Sequence, residues 1–207
     1  MVLAIDTALA ACSAALVRDG TAVAAMSEPM ERGHAERLAP LVEELMRGAG
    51  VAFDAVDRIA VTVGPGSFTG VRVGLSFARG LALALGKPCV GVSTLEALAG
   101  EGGGLRGGAV GSAADVFFAL YDGGDARVPP GRFTIDEARA LAPEGASIHG
   151  PAAGLLARPG LSILEAAHAD PVVLARIAAG RDPDAHPPAP QYLRAPDAKL
   201  PGGLTPP

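Results

Sequence analysis

Segment 61–74, Val-Thr-Val-Gly-Pro-Gly-Ser-Phe-Thr-Gly-Val-Arg-Val-Gly, limits the folds open to this chain more than any other stretch. A β-branched run enters a glycine-rich corner and leaves it as a helix. Gly64 and Gly66 permit the sharp turn, and Ser67 or Thr69 can cap the helix that follows. N–H groups at a helix start attract anions, so Gly64, Gly66, Ser67 and Thr69 form a candidate anion-binding corner. A nucleotide P-loop would also carry Lys followed by Ser or Thr, which is missing here, so a nucleotide reading is disfavoured.

The helix beyond the corner carries a second constraint. Gly66, Gly70, Gly74, Ala78, Ala82 and Gly86 recur every fourth residue and make one ridge of small side chains. Glycine inside a helix costs ~1 kcal/mol relative to alanine. Two interior glycines on one ridge therefore imply a second backbone lying very close. That backbone belongs either to the first helix or sheet of the same chain, or to another subunit; the ridge alone does not separate the two. Arg72 and Arg79 share another face and read as a solvated stripe.

Around this segment the pattern is α/β. Strands are expected at residues 1–5, 12–17 and 21–26, with Asp19-Gly20 as a hairpin turn between the latter two. A helix over 34–46 follows, its stripe formed by Leu38, Leu41, Val42 and Leu45 and its end marked by Gly48 and Gly50. A strand at 58–63, a helix over 68–85, a strand at 89–92 and a short helix from Thr94 complete a β-β-β-α-β-α-β order, which requires a mixed sheet covered by helices. Beyond residue 99 the signal weakens. Residues 101–108 read as a glycine-rich loop, 115–121 and 146–149 as strands, and 134–141 as a helix opened by a Thr134/Glu137 capping box. Asp170-Pro171 opens a last helix to residue 179. The division expected is 1–99, 100–181 and a proline-rich tail, 182–207, draped or without order of its own.

Bulk properties exclude several classes. The chain is 49% apolar, with 4% aromatic residues and no Trp, so its core must be built from Ala, Val and Leu. A net charge of -5 does not grip nucleic acid by bulk electrostatics. No uncharged apolar run reaches the roughly 18–20 residues of a membrane span, and the start lacks a basic leader. Cys12 and Cys89 read as two reduced thiols. A cytoplasmic protein without membrane association is expected.

Catalytic groupings are missing from the sequence. His34, His149, His168 and His186 have no His or Cys one helical turn away, and there is no His-Glu-x-x-His. Ser13, Ser67 and Ser93 lack a nucleophile elbow. Asp6-Thr7 closes the first strand and reads as a turn.

Four stretches then identify a resemblance. They are Leu3-Ala4-Ile5-Asp6-Thr7, residues 32–41 (Arg-Gly-His-Ala-Glu-Arg-Leu-Ala-Pro-Leu), the corner motif through Gly74, and Gly86-Lys87-Pro88 on to Thr94-Leu95-Glu96-Ala97-Leu98. With the tail Pro190-Gln191-Tyr192-Leu193-Arg194 and Asp197-Ala198-Lys199, they resemble the bacterial TsaB (YeaZ) family. The resemblance is close over the first hundred residues and loose afterwards. Gly111-Ser112-Ala113-Ala114-Asp115 departs from a family Asp-Ala-Arg pattern.

The resemblance implies an actin-like (ASKHA, ribonuclease H-like) fold of mixed sheets flanked by helices, its second half a degenerate repeat of the first. It also implies work in making N6-threonylcarbamoyladenosine (t6A) in tRNA. The fold's catalytic relative, TsaD, shares the Gly-Pro-Gly corner and places a His-x-x-x-His metal pair just after the fifth strand. Here those two positions hold Thr94 and Leu98. The resemblance therefore implies a non-catalytic paralogue, with no metal and no cofactor, that binds and supports TsaD. TsaE is a second expected partner, tRNA is met only through the complex, and a homodimer competes for the same face. The interface expected is Leu38, Leu41, Val42, Leu45, Gly70, Gly74 and Ala78, and on that reading Gly74→Asp removes partner binding while the chain stays folded. The alternative is an active enzyme, an ATP-dependent actin-like phosphotransferase or a metallopeptidase.

Overall fold

The computed structural model describes residues 1–111 and 114–193. Its first sheet begins with β1 (Val2–Asp6), β2 (Ala11–Arg18) and β3 (Thr21–Pro29) and continues, after α1 (His34–Gly48), with β4 (Arg58–Thr62). Helix α2 (Phe68–Leu85) leads to β5 (Cys89–Val92) and α3 (Thr94–Ala99). The strand order is β3-β2-β1-β4-β5, with β1 antiparallel to β2 and parallel to β4. β1 is buried along its whole length because both sheet faces are covered, which is why it reads as an unbroken apolar run rather than an alternating one.

The second sheet repeats this plan. β6 (Leu105–Gly111), β7 (Val116–Asp122) and β8 (Asp125–Phe133) are followed by α4 (Ile135–Leu141), β9 (Ser147–His149), β10 (Ser162–Leu164) and α5 (Pro171–Ala179). The order β10-β9-β6-β7-β8 matches the first sheet strand for strand, with the same antiparallel and parallel pairings. Where the first half has α2, the second has only a single 3₁₀ turn, Ala153–Leu156. The fold is thus the actin-like α/β one, two mixed sheets flanked by helices, with a reduced second copy.

Three apolar clusters fill the layers. Leu3, Ile5, Leu16 and Ile59 of the first sheet pack under α1 and α2. Ala4, Ala60 and Val92 on the opposite face pack with α3 and α5 and reach Ala119 of the second sheet. Phe118, Leu120 and Ile148 pack with Ala138 of α4 and with Leu156. Helix α5 closes the second repeat yet lies on β1, β2 and β4, whereas α3 closes the first and lies on β6 and β7. The last helix of each half therefore covers the other half's sheet, and the division at residue 99/100 stands as a proposal about ancestry.

Several sequence expectations need correction. Residues 101–108 are not all loop: β6 starts at Leu105. Its Gly107 and Gly108 are required by crowding, since a side chain at 108 would overlap the Leu95 backbone and one at 107 would lie 2.8 Å from the Phe118 ring. β8 and β10 are strands that the sequence pattern does not announce. β8 holds Pro129-Pro130, tolerated because it is an edge strand. The Thr134 capping box is present, with Thr134 N–H and Oγ1 each 2.8 Å from Glu137 Oε2.

The tail is draped as far as Leu193. Gly91 N–H donates to His186 O at 2.9 Å and Gln191 N–H to Val63 O at 2.8 Å, so residues 186–191 lie along β5 and the corner. Arg194, Asp197, Ala198, Lys199, Ser112 and Ala113 lie outside the described residues.

Candidate functional site

The corner is built by backbone contact. Thr7 and Ala8, in the β1–β2 turn, run directly beneath the start of α2. Ser67 N–H donates to Ala8 O at 2.7 Å, and Thr7 Oγ1 donates to Gly70 O at 2.7 Å. A Cβ at Gly66 would overlap the Ala8 carbonyl, one at Gly70 would overlap the Thr7 carbonyl, and one at Gly74 would sit 2.6 Å from Thr7 Oγ1. Ser67 caps the helix by accepting from Gly70 N–H at 3.3 Å, and Thr69 does not. Two of the corner's N–H groups are thus bonded within the chain. Gly66, Ser67 and Thr69 are exposed, Gly64 is buried and left-handed (φ 101), and the corner remains an anion site by proposal only.

The second backbone implied by the glycine ridge is therefore the chain's own β1–β2 turn. This corrects the interface expected from sequence. Gly70, Gly74 and Ala78 are buried against the first sheet, and Leu38, Leu41, Val42 and Leu45 are buried in the core beneath α1, none above 2% exposed. The helical stripe reported the core face, because a helix lying on a sheet turns its apolar stripe inward.

What α1 and α2 present outward is different. A groove of about 420 Å³ runs between them, lined by Ala35, the edge of Leu38, Phe68, Arg72, Val73 and Phe77. Phe68 is 71% exposed at the start of α2. The Arg72 guanidinium lies 3.2 Å from the centre of its ring and donates to Tyr192 Oη at 2.6 Å. Tyr192, 61% exposed, is carried there by the draped tail. Arg72 is thus not simply solvated: it is held between two aromatic rings, an arrangement that fixes a long cationic side chain in place. The sequence signals missed were a bulky aromatic directly after a helix cap and a tyrosine in the proline-rich tail.

Buried polar groups cluster beside the corner. Asp6 is fully buried; its Oδ1 accepts from Ala8 N–H at 2.9 Å and from Thr62 Oγ1 at 2.5 Å, and its Oδ2 has no partner. Burial raises its pKa, against the smaller lowering influence of Thr62, Ala8 and the nearby His168 and His34. Thr94 is buried with its hydroxyl unpartnered, and Leu98 is 5% exposed in the core. Among the described residues, no three His, Cys, Asp or Glu side chains come together as a metal site. Cys12 is buried and Cys89 half-buried, and burial pushes each thiol up to about 11. Helix α2 is long and apolar enough to cross a membrane by composition, but it carries Arg72 and Arg79 and packs on the first sheet.

Fold and face together define an actin-like protein with an apolar, aromatic-edged groove on its first two helices. A family model described as TsaD, tRNA N6-adenosine threonylcarbamoyltransferase, matches residues 26–125. The tRNA threonylcarbamoyladenosine biosynthesis protein TsaB of Escherichia coli (strain K12) is 47% identical over 98 residues, 47% of this chain and 42% of that protein. The chain thus matches less than half the length of that relative. An uncharacterized protein of Mycobacterium tuberculosis (strain ATCC 25618 / H37Rv) is 36% identical over 204 residues, 96% of this chain and 93% of that one. The crystal structure of a Pseudomonas aeruginosa protein described as uncharacterized, with similarity to peptidase YEAZ, superposes with a TM-score of 0.77. It is 32% identical, with 93% of this chain and 99% of that chain covered. The chain belongs to the TsaB (YeaZ) family.

Two outcomes are expected. Gly74→Ala lowers stability by roughly 1–3 kcal/mol through overpacking on Thr7, whereas Gly80→Ala, on the open side of α2 with nothing within 4 Å, raises it by ~1 kcal/mol; urea unfolding of both variants checks the pair. Gly74→Asp accordingly reports on folding and not on docking. For Asp6, a folded-state pKa raised above 3.8 means that its contribution is fully present below that value and is lost as pH rises through the folded value. Asp6→Asn keeps the Oδ1 acceptor without the charge, so its stability relative to wild type should grow between acid and neutral pH, read from urea midpoints across that range.

Proposed function

We propose that this chain is a non-catalytic subunit required for t6A formation in tRNA, and that it acts by binding and supporting a TsaD-type threonylcarbamoyltransferase. The observation that carries this reading is a contrast within one segment. Residues 26–125 match the TsaD family model, and the two positions just after β5, where the resemblance implies paired histidines in TsaD, hold a buried Thr94 and a buried Leu98. A hydroxyl and an alkyl group do not replace two imidazoles as metal ligands. A fold shared with the transferase but lacking that pair is suited to recognition of its sister.

The docking face we assign is the outer side of α1 and α2, centred on Phe68, Arg72, Val73 and Phe77. It combines an exposed aromatic, an immobilised guanidinium and an apolar groove, the residue types that dominate binding energy at protein interfaces. TsaE is proposed as a further partner of the assembled complex, with tRNA reached through that complex. A homodimer through the same face is the competing state of the free chain, because a self-complementary patch serves two-fold pairing.

The test uses Phe68→Asp, at an exposed position, and Val73→Asp, at a half-buried one in the groove wall, both leaving the buried glycine ridge intact. Each is expected to weaken co-elution with the transferase at least tenfold, and the double variant to abolish it, with the circular dichroism spectrum unchanged. Depletion of the chain should lower t6A in total tRNA by mass spectrometry. Normal co-elution of the double variant would remove the face, and unchanged t6A would remove the function.

A further inference from the structure

A second cavity, of about 410 Å³, lies on the opposite side of the molecule from the α1–α2 groove, where the two halves meet. The C-terminal end of α3, residues 100–104, the first turn of β6, the β7–β8 hairpin tip and α5 enclose it. Its volume is within the range of small-molecule sites. Much of its wall has no side chains: Gly100, Gly102 and Gly104 take positive φ, as do Gly123 and Gly124 at the hairpin tip. Bare backbone keeps the space open where ordinary residues would fill it.

Both carboxylates in its wall are already engaged. Glu96 is paired with Arg181, both largely buried, and Glu101 with Arg176 at 3.5 Å. Arg106 is the other guanidinium of the lining. Its Nε donates to Ala99 O at 2.6 Å, which pins the side chain, but among the described residues its terminal nitrogens meet no carboxylate and no other acceptor. They lie beneath the loop, 3.4 Å from where a Cβ on Gly100 would stand and 3.5 Å from one on Gly102. Tyr121 lines the same cavity, is 6% exposed, and its buried Oη has no hydrogen-bond partner of acceptable geometry. The nearby Ser93 hydroxyl is turned to Gly64 O. Two carboxylates and two guanidinium groups line the cavity; both carboxylates are already paired, with Arg181 and with Arg176 outside the lining, and the uncommitted groups, Arg106 Nη1 and Nη2 and the Tyr121 hydroxyl, can all donate. A buried donor without an acceptor is costly, so such sets are usually completed by a partner. Guanidinium nitrogens presented in one plane match the paired oxygens of a carboxylate or phosphate.

We propose that this cavity binds a small oxyanion-bearing metabolite, a carboxylate or a phosphate monoester, with Arg106 as its anchoring cation and Tyr121 as a second donor. Burial and the neighbouring Glu96 push the Tyr121 phenol up, which keeps it a donor at neutral pH. The site touches α3 and α5, the helices that cross between the halves, so its occupant stabilises their junction and not the docking face. It is independent of the proposed partner: the lone chain suffices to test it.

Tyr121 and Tyr192 are the chain's two tyrosines and there is no tryptophan, so Tyr192→Phe makes Tyr121 the emitting residue. In that background, inorganic phosphate and, separately, succinate are titrated at an ionic strength held constant with sodium chloride. The expected result is a saturable change in tyrosine emission and a saturable rise in Tm with at least one anion, the responding anion naming the class. Arg106→Gln should weaken the apparent affinity at least tenfold, and Arg106→Lys should restore part of it. Absence of a saturable response to both anions overturns the proposal, as does an unchanged affinity in Arg106→Gln. Should Arg106→Gln not fold, Tyr121→Phe decides by Tm: it removes an oxygen that holds nothing in the protein, and an affinity equal to wild type overturns the proposal equally.

Discussion

The contact on which the outer face depends is between two backbones, the β1–β2 turn at Thr7–Ala8 and the first turns of α2. Three glycines spaced four apart make it possible, and hydrogen bonds from Ser67 N–H and Thr7 Oγ1 fasten it. Everything on the outer side follows from that contact. It sets the depth at which α2 lies on the first sheet, and so aims Phe68, Arg72 and Phe77 outward beside α1. It also turns the corner so that the chain after β4 passes over the end of β1, with Asp6 and Thr62 sealed beneath. The glycines of the motif are thus structural residues that serve recognition at one remove.

The second half shows what the architecture can lose. Its sheet keeps five strands in the parent order, but the equivalent of α2 has shrunk to one 3₁₀ turn, and the strands at that end are three residues long. On that face α4 and the 3₁₀ turn cover Phe118, Leu120 and Ile148, while α3 packs on the opposite face, where Gly108 admits the Leu95 backbone. An alanine-rich core with few aromatics suits such close layers, since small side chains let helices approach the sheets and each other.

The first half was legible in sequence because its elements are long and strongly punctuated. Helix α2, strand β5 and helix α5 begin and end where Ser67, Gly86, Pro88, Asp170 and Gly180 indicate. The second half hid its strands behind local signals that point elsewhere. Gly107 and Gly108 suggest a loop until the crowding around them is known, and Pro129-Pro130 argues against a strand unless the strand is known to be an edge. At the site, the glycine ridge correctly announced a neighbouring backbone, but spacing carries no information about which backbone. The same limit applies to Leu38, Leu41, Val42 and Leu45: periodicity reports an apolar face, and whether that face meets a sheet or a partner is decided by tertiary structure. The outward groups, Phe68 and Tyr192, lie 124 positions apart in the chain, and no local pattern links them.

The exchange of closing helices between the halves has a thermodynamic consequence. Neither sheet has both faces covered by its own segment: α5 must arrive before the first sheet is sealed, and α3 is buried only once the second sheet exists. Partial structures consisting of one half leave a broad apolar surface in water and are correspondingly unfavourable. Although built as a repeat, the chain therefore behaves as one cooperative unit, gained or lost as a whole.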